Sequence, residues 1–255
     1  MTGVEAIGAF LAFCKQRRPR FVRAIPQLTP YEQMLVDLAD GDAAVQTAFN
    51  WARQAQHASA EAVLAEWRRY AESGRASLRS TVEVSHSLMA PPSGAALDEL
   101  RSGLGNSCPA LLELYRLHDG ANLFVDVEDG GSGLYFFPIA EMAAERDALA
   151  ERLEPPALET VEDGRLQIYG RPPWLDGAVV FGGFGYAPER LLLSTAGEHS
   201  GSVFLFSHDP LQLLRIGASF GELLEQLRQR PMALLGRYGG ASFQGASGYQ
   251  ADDAA

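Results

Sequence analysis

The sequence predicts an α+β protein: a mainly antiparallel sheet flanked by helices, preceded by a small all-helical amino-terminal module. Three observations carry this. Apolar residues at helical spacing, punctuated by caps, dominate the chain up to His118. Short apolar runs bounded by turn residues follow, without the strict strand–helix alternation of a doubly wound parallel sheet. A capped helix closes the series at Ser219.

The elements follow in chain order. Val4 to Cys14 is apolar, but Glu5 interrupts it and Lys15, Arg17 and Arg18 come after it, so it reads as an amphipathic helix and not an export signal. Arg17, Arg18, Arg20 and Arg23 read as a solvated turn that docks on the acidic remainder of the chain. Thr29-Pro30-Tyr31-Glu32 is a capping box with proline at the first helical position, and its helix stops near Gly41. A second helix spans Asp42 to Gln56. Ser59 caps a third, with Val63, Trp67 and Tyr70 on one face. Val82 to Pro92 reads as a linker or short strand. Helices are expected over Ser93–Gly105 and Pro109–His118, with Leu111, Leu114, Tyr115 and His118 sharing a face.

Strands are then expected over Leu123–Val127 and Leu134–Phe137, on either side of an acidic turn. Ile139–Leu153 returns to helix, and a less regular excursion lies between Pro155-Pro156 and Pro172-Pro173. Four short strands follow, over 178–181, 191–194, 203–206 and 213–216, before the closing helix Ser219–Arg230. The Gly-, Ala- and Ser-rich remainder is expected to be disordered. The predicted organisation is a helical module over 1–80, an α+β domain over 81–235 and a flexible tail over 236–255.

Composition bounds the function. A hydrophobic fraction of 47% and a charged fraction of 21% are those of a soluble globular chain. No run approaches the roughly 18 apolar residues of a membrane span. Net charge is −11, unevenly spread: residues 1–80 hold 10 basic against 8 acidic residues, residues 81–255 hold 11 against 24. Such a surface repels nucleic acid and attracts a basic partner. Cys14 and Cys108 sit in apolar helical contexts and read as reduced, buried thiols of a cytoplasmic protein.

Context decides what each short motif can be. Gly217-Ala218-Ser219-Phe220-Gly221 matches the nucleophile elbow of serine hydrolases, between a strand and a helix. That fold needs an acid and then a histidine downstream, and all five histidines (57, 86, 118, 199, 208) lie upstream. Ser219 and Glu222 read instead as a capping box. Gly182-Gly183-Phe184-Gly185 reads as a turn between strands, because no helix follows to hold a phosphate. Asp126-Val127-Glu128-Asp129-Gly130 lacks calcium-loop spacing and reads as an exposed acidic hairpin. His118 reads as a helix C-terminal contact, and His208-Asp209 as a strand-ending turn. No cofactor, metal or small-molecule ligand is expected.

The blocks from residue 91 onward carry a resemblance. Pro91-Pro92 leads a helix, and Cys108-Pro109-Ala110-Leu111-Leu112-Glu113-Leu114-Tyr115-Arg116-Leu117-His118-Asp119-Gly120 follows. Then come Leu134-Tyr135-Phe136-Phe137-Pro138-Ile139, Val179-Val180-Phe181-Gly182-Gly183-Phe184-Gly185, Ser202-Val203-Phe204-Leu205-Phe206-Ser207-His208-Asp209 and Ser219-Phe220-Gly221-Glu222-Leu223-Leu224. This order resembles the SUKH superfamily, the domain of the yeast Smi/Knr cell-wall regulators and of many bacterial toxin-immunity proteins, over residues 83 to 230. The resemblance implies a SUKH-like domain and a binding protein, not an enzyme. Its partner would be a cognate nuclease- or deaminase-type polymorphic toxin, occluded at its active site. The residues expected to meet a basic toxin are Asp119, Asp126, Glu128 and Asp129, with Tyr135 and Tyr186 as aromatic anchors. Two alternatives stand beside this: a regulatory scaffold of the Smi/Knr kind, and a serine hydrolase built on Ser219.

Overall fold

The computed structural model describes residues 3–15, 20–23, 80–127, 130, 133–162, 164–185, 187–238 and 246–250. The helices expected between Thr29 and Gly74 lie outside these residues, as do Arg17 and Arg18. The described chain opens with α1 (Gly3–Cys14), β1 (Arg20–Arg23) and β2 (Ser80–Leu88). Helices α2 (Gly94–Leu104) and α3 (Pro109–Leu117) precede β3 (Ala121–Asp126), β4 (Leu134–Phe136) and α4 (Ile139–Ala150). A hairpin of β5 (Leu158–Glu162) and β6 (Arg165–Tyr169) leads through the 3-10 turn Pro173–Gly177 to β7 (Val179–Phe184) and β8 (Arg190–Leu193). After a second 3-10 turn, Gly197–His199, come β9 (Val203–His208), β10 (Leu211–Gly217), α5 (Phe220–Gln229), α6 (Met232–Tyr238) and β11 (Ala246–Gln250).

All strands join one sheet in the order β11-β1-β2-β3-β4-β7-β8-β9-β10-β6-β5. Every neighbouring pair is antiparallel. The expected α+β class is therefore what the chain adopts.

Both faces of the sheet's centre are covered, because side chains alternate along a strand. Phe181, Leu191, Leu193 and Leu205 face one core, shared with Phe10 of α1, Leu111 and Leu114 of α3, and Leu223, Leu224 and Leu227 of α5. Val180, Leu192, Phe204, Phe206 and Leu213 face a second core, closed by Leu149 of α4 with Trp174 and Leu175. All six residues of β7 are buried. This two-sided burial explains why the strands read as continuous apolar runs and not as polar–apolar alternation.

Four sequence expectations are refined or corrected. Of the two readings of Val82–Pro92, the strand is the one adopted, longer and more central than expected: β2 spans nine residues and pairs with both β1 and β3, so it is interior to the sheet. The excursion after Pro155-Pro156 forms the β5–β6 hairpin, whose exposed outer strand gave no apolar alternation to read. The expected boundary at residue 80 falls on the first residue of β2, and α1 belongs to the first core, where Phe10 and Phe13 are buried. Residues 246–250 are not a loose tail: β11 supplies backbone partners to β1. The sequence Ala-Ser-Gly-Tyr-Gln shows no apolar alternation, so nothing in it announced a strand.

The segment that closes α3 fastens several elements together. Tyr115, fully buried, donates its hydroxyl to the Phe137 carbonyl at 2.7 Å. Burial and the nearby Asp119 carboxylate hold its phenol well above the ordinary value. His118 Nδ1 meets the Met89 carbonyl at 2.8 Å, so its ring bonds the end of β2 and not the helix's own last carbonyls, as expected from sequence. Asp119 Oδ1 accepts the Ile139 N–H at 2.9 Å, at the start of α4. Gly120 has φ +104°, and a Cβ there would lie 2.4 Å from the Phe136 carbonyl.

Gly182 and Gly183 lie inside β7, not in a turn. A Cβ on Gly182 would stand 2.5 Å from the Tyr135 carbonyl, so the glycine is needed for β4 and β7 to approach. Gly182→Ala should lower stability by roughly 1–3 kcal/mol in denaturant unfolding. Gly103→Ala, on α2 with nothing within 4 Å, should instead gain about 0.5–1 kcal/mol. Equal effects would contradict the packing described.

His86 sits at a register shift in β2, with its ring 5.1 Å from Phe13 and edge-on to Phe124 at 4.6 Å. Its Nδ1 accepts the Phe124 N–H at 3.1 Å, which fixes the neutral ring. Burial lowers its pKa to about 4. The unfolded chain protonates near 6.5 and the folded one near 4, so stability should be intact above pH 6.5 and fall as pH drops toward 4. The His86 share is about 3 kcal/mol. His86→Gln keeps an acceptor without titrating. Its unfolding free energy should be flatter than wild type between pH 6.5 and 4, and parallel curves would exclude His86 as the cause.

Candidate functional site

Antiparallel pairing gathers three turns at one end of the sheet. The β3–β4 connection leaves Asp126, the β7–β8 turn precedes Arg190, and the β9–β10 turn follows His208. The Gly185 N–H donates to the Gly133 carbonyl at 2.9 Å, so the first two turns lie side by side. The Val127 N–H donates to the Glu83 carbonyl at 3.1 Å, fixing the first turn to β2. Arg190↔Phe206 pairing brings the β8 start beside the β9 end, where His208 Nδ1 meets Glu189 Oε1 at 2.5 Å. Arg190 is held from the side by Glu145 of α4 at 2.6 Å and lies over the Phe137 ring at 5.7 Å. This end therefore has a braced base. Its rim exposes Val127 and Leu211, 49% and 47% accessible, and Asp209.

The sequence-predicted partner residues divide. Glu128, Asp129 and Tyr186 fall outside the described residues. Tyr135 is half-buried on β4 and pairs with Gly183. Asp126 corrects the expectation of an exposed charge: it is the last residue of β3, 6% accessible, and its carbonyl accepts the Gly130 N–H at 2.8 Å. The alternation along β3 turns its side chain inward, which the acidic run in the sequence concealed. Asp119 lies at the other end of β3, about 20 Å away by strand rise, and is committed to the start of α4.

Ser219 is the N-cap of α5: its hydroxyl accepts the Glu222 N–H at 3.2 Å. The return bond of the capping box differs from expectation by one residue, because Glu222 Oε2 accepts from the Ala218 N–H at 2.7 Å. Among the described residues, His86, His118, His199 and His208 bond elsewhere. Cys14 and Cys108 are free and buried. Burial pushes the Cys14 thiol up to about 12 and raises that of Cys108, so neither is a ready nucleophile.

Sequence reasoning missed the Glu189–His208 and Glu145–Arg190 pairs, because partners so far apart leave no local signal. It also missed Glu159, Glu198 and His199, whose ligand atoms lie within 4.8 Å of one another among the described residues. His199 Nε2 meets Glu159 at 3.1 Å and Glu198 at 3.6 Å, with the ring largely buried and both carboxylates exposed, on the β5 side of the sheet. Among the described residues, no helix is long and apolar enough to cross a membrane.

If Ser219 is a cap, Ser219→Ala should cost about 1 kcal/mol and Ser219→Asp should be tolerated. A fluorophosphonate should leave Ser219 unlabelled; stoichiometric labelling would reinstate the hydrolase alternative.

The description of the SMI1 / KNR4 family (SUKH-1) matches residues 91–226, more than half of the 255-residue chain. No curated protein and no solved structure is significantly similar to it.

Proposed function

This chain belongs to the SMI1 / KNR4 family (SUKH-1), and we propose that it is a non-catalytic, cytoplasmic immunity protein. It would neutralise a cognate bacterial polymorphic toxin, of nuclease or deaminase type, by covering the toxin's active site with an acidic surface. The observation that carries this reading is charge: the chain has net −11, and residues 81–255 hold 24 acidic against 11 basic residues. A toxin that acts on nucleic acid is basic where it binds the phosphates, so an acidic surface steers association and stands in for the substrate's charge.

The surface proposed is the turn end of the sheet. In the sequence Glu128 and Asp129 follow Val127 and Tyr186 follows Gly185, and Tyr135 lies on β4. Exposed Val127 and Leu211 add apolar area, and Asp209 adds charge. Interfaces draw most of their energy from a few aromatic and apolar anchors inside a polar rim, and this end offers both. Asp126 and Asp119 are left out because each serves the fold.

The experiment is affinity purification with the products of neighbouring genes, followed by association kinetics across salt. The association rate should fall steeply as added salt shortens the Debye length to about 8 Å at physiological ionic strength and below, while dissociation changes little. Glu128→Lys with Asp129→Lys should lose protection in a toxin co-expression assay at unchanged melting temperature. Asp126→Lys should instead unfold the protein. A double variant that protects like wild type would remove this end of the sheet as the interface.

A further inference from the structure

The arginines of this acidic chain are unevenly served. Its cationic side chains are almost all guanidinium groups, with Lys15 the only lysine. Among the described residues, Arg20, Arg101, Arg116, Arg146, Arg171, Arg190 and Arg228 each meet a carboxylate. Arg165, Arg215 and Arg230 have no side-chain partner among the described residues, and all three line one groove of roughly 710 Å³. They come from different elements: β6, β10 and the residue that ends α5. Sequence separation of 15 to 65 residues hid the convergence.

The groove runs between the β5–β6 hairpin, β10 and the α5–α6 pair. Among the described lining residues the one carboxylate, Glu222, already accepts the Ala218 N–H. The lining therefore carries an excess of two positive charges on a protein of net −11. Its floor is apolar, from Leu166, Leu214, Ile216 and Leu234, and Tyr238 stands at one side. At the lip, Val161 on the sheet's outermost strand is 70% accessible.

We propose that this groove binds an extended acidic peptide segment of a partner protein, through paired carboxylate–guanidinium contacts and at least one bulky apolar side chain on the floor. A planar guanidinium presents a fork of donors that matches a carboxylate, and three such forks without a side-chain partner among the described residues are available to be shared. The apolar floor selects a peptide over a bare polyanion. The rest of the chain's negative charge disfavours a nucleic acid that would run beyond the groove. The sign of this surface is opposite to that of the turn end, so the proposal stands independently of the toxin reading.

The test uses the full chain. A display library of random twelve-residue peptides is panned on wild type and on the triple variant Arg165→Glu, Arg215→Glu, Arg230→Glu. Wild type should enrich peptides with several Asp or Glu residues around Leu, Phe or Trp, and the triple variant should not. An enriched peptide, labelled with fluorescein, should lose at least tenfold in affinity on the triple variant and several-fold on Arg215→Gln, which alters one exposed side chain. Glu128→Lys with Asp129→Lys should leave that affinity unchanged. The proposal fails if no acidic sequences are enriched, if both proteins enrich the same ones, or if oligothymidine competes as well as the peptide. It also fails if deleting residues 251–255, which include Asp252 and Asp253, raises affinity tenfold, since the chain's own end would then be the occupant.

Discussion

Burial of the central sheet on both faces is the constraint from which the rest follows. With β7 enclosed along its whole length, β8 and β9 nearly so, and the middle of β10 buried, apolar cover is needed on two sides. One side is met by α1, α3 and α5 and the other by the end of α4 with Trp174 and Leu175. Helix α1 is part of this cover. Fully burying a side chain such as Phe10 contributes about 2–3 kcal/mol, so the amino-terminal residues are bound into the core energetically as well as spatially. The close approach of β4 to β7 then requires glycine at 182, and the junction after α3 requires glycine at 120.

The blocks that carry the family resemblance mostly serve this architecture. Tyr115 ties α3 to the β4–α4 connection, Asp119 starts α4, and Ser219 starts α5. These residues are recognisable because caps, glycines and buried hydroxyls have strict local geometry. That geometry made α2, α3, α5 and the central strands legible in the sequence. The failures were of a different kind. Strand β2 carries Ser80, Glu83, Ser85 and Ser87 among its apolar residues, β5 is exposed on both sides, and β11 is held by backbone pairing to β1. None of these advertises itself through side-chain periodicity. The burial of Asp126 was hidden for a related reason: an acidic run is read as solvated unless the strand's register is known.

Charge is organised by place. Acidic groups dominate the composition, and most described arginines are neutralised by a neighbour within the fold. The turn end of the sheet exposes Val127, Leu211 and Asp209 over a base braced by Glu189–His208 and Glu145–Arg190. The groove beside β10 collects guanidinium groups over an apolar floor. Averaging over the sequence conceals both surfaces, since a net of −11 is compatible with an arginine-lined groove.

The anchoring of the first turn has an evolutionary consequence. Its two ends are pinned by the Val127–Glu83 and Gly185–Gly133 hydrogen bonds, and the register of β3 on β4 is set by pairs within the strands. Doubling the length of a flexible loop between fixed ends costs only about 0.6 kcal/mol. The segment between Val127 and Gly133 can therefore be lengthened, shortened or rewritten while the sheet beneath it keeps its register. A lineage under pressure to change its binding partner would have a place to vary that leaves the scaffold intact.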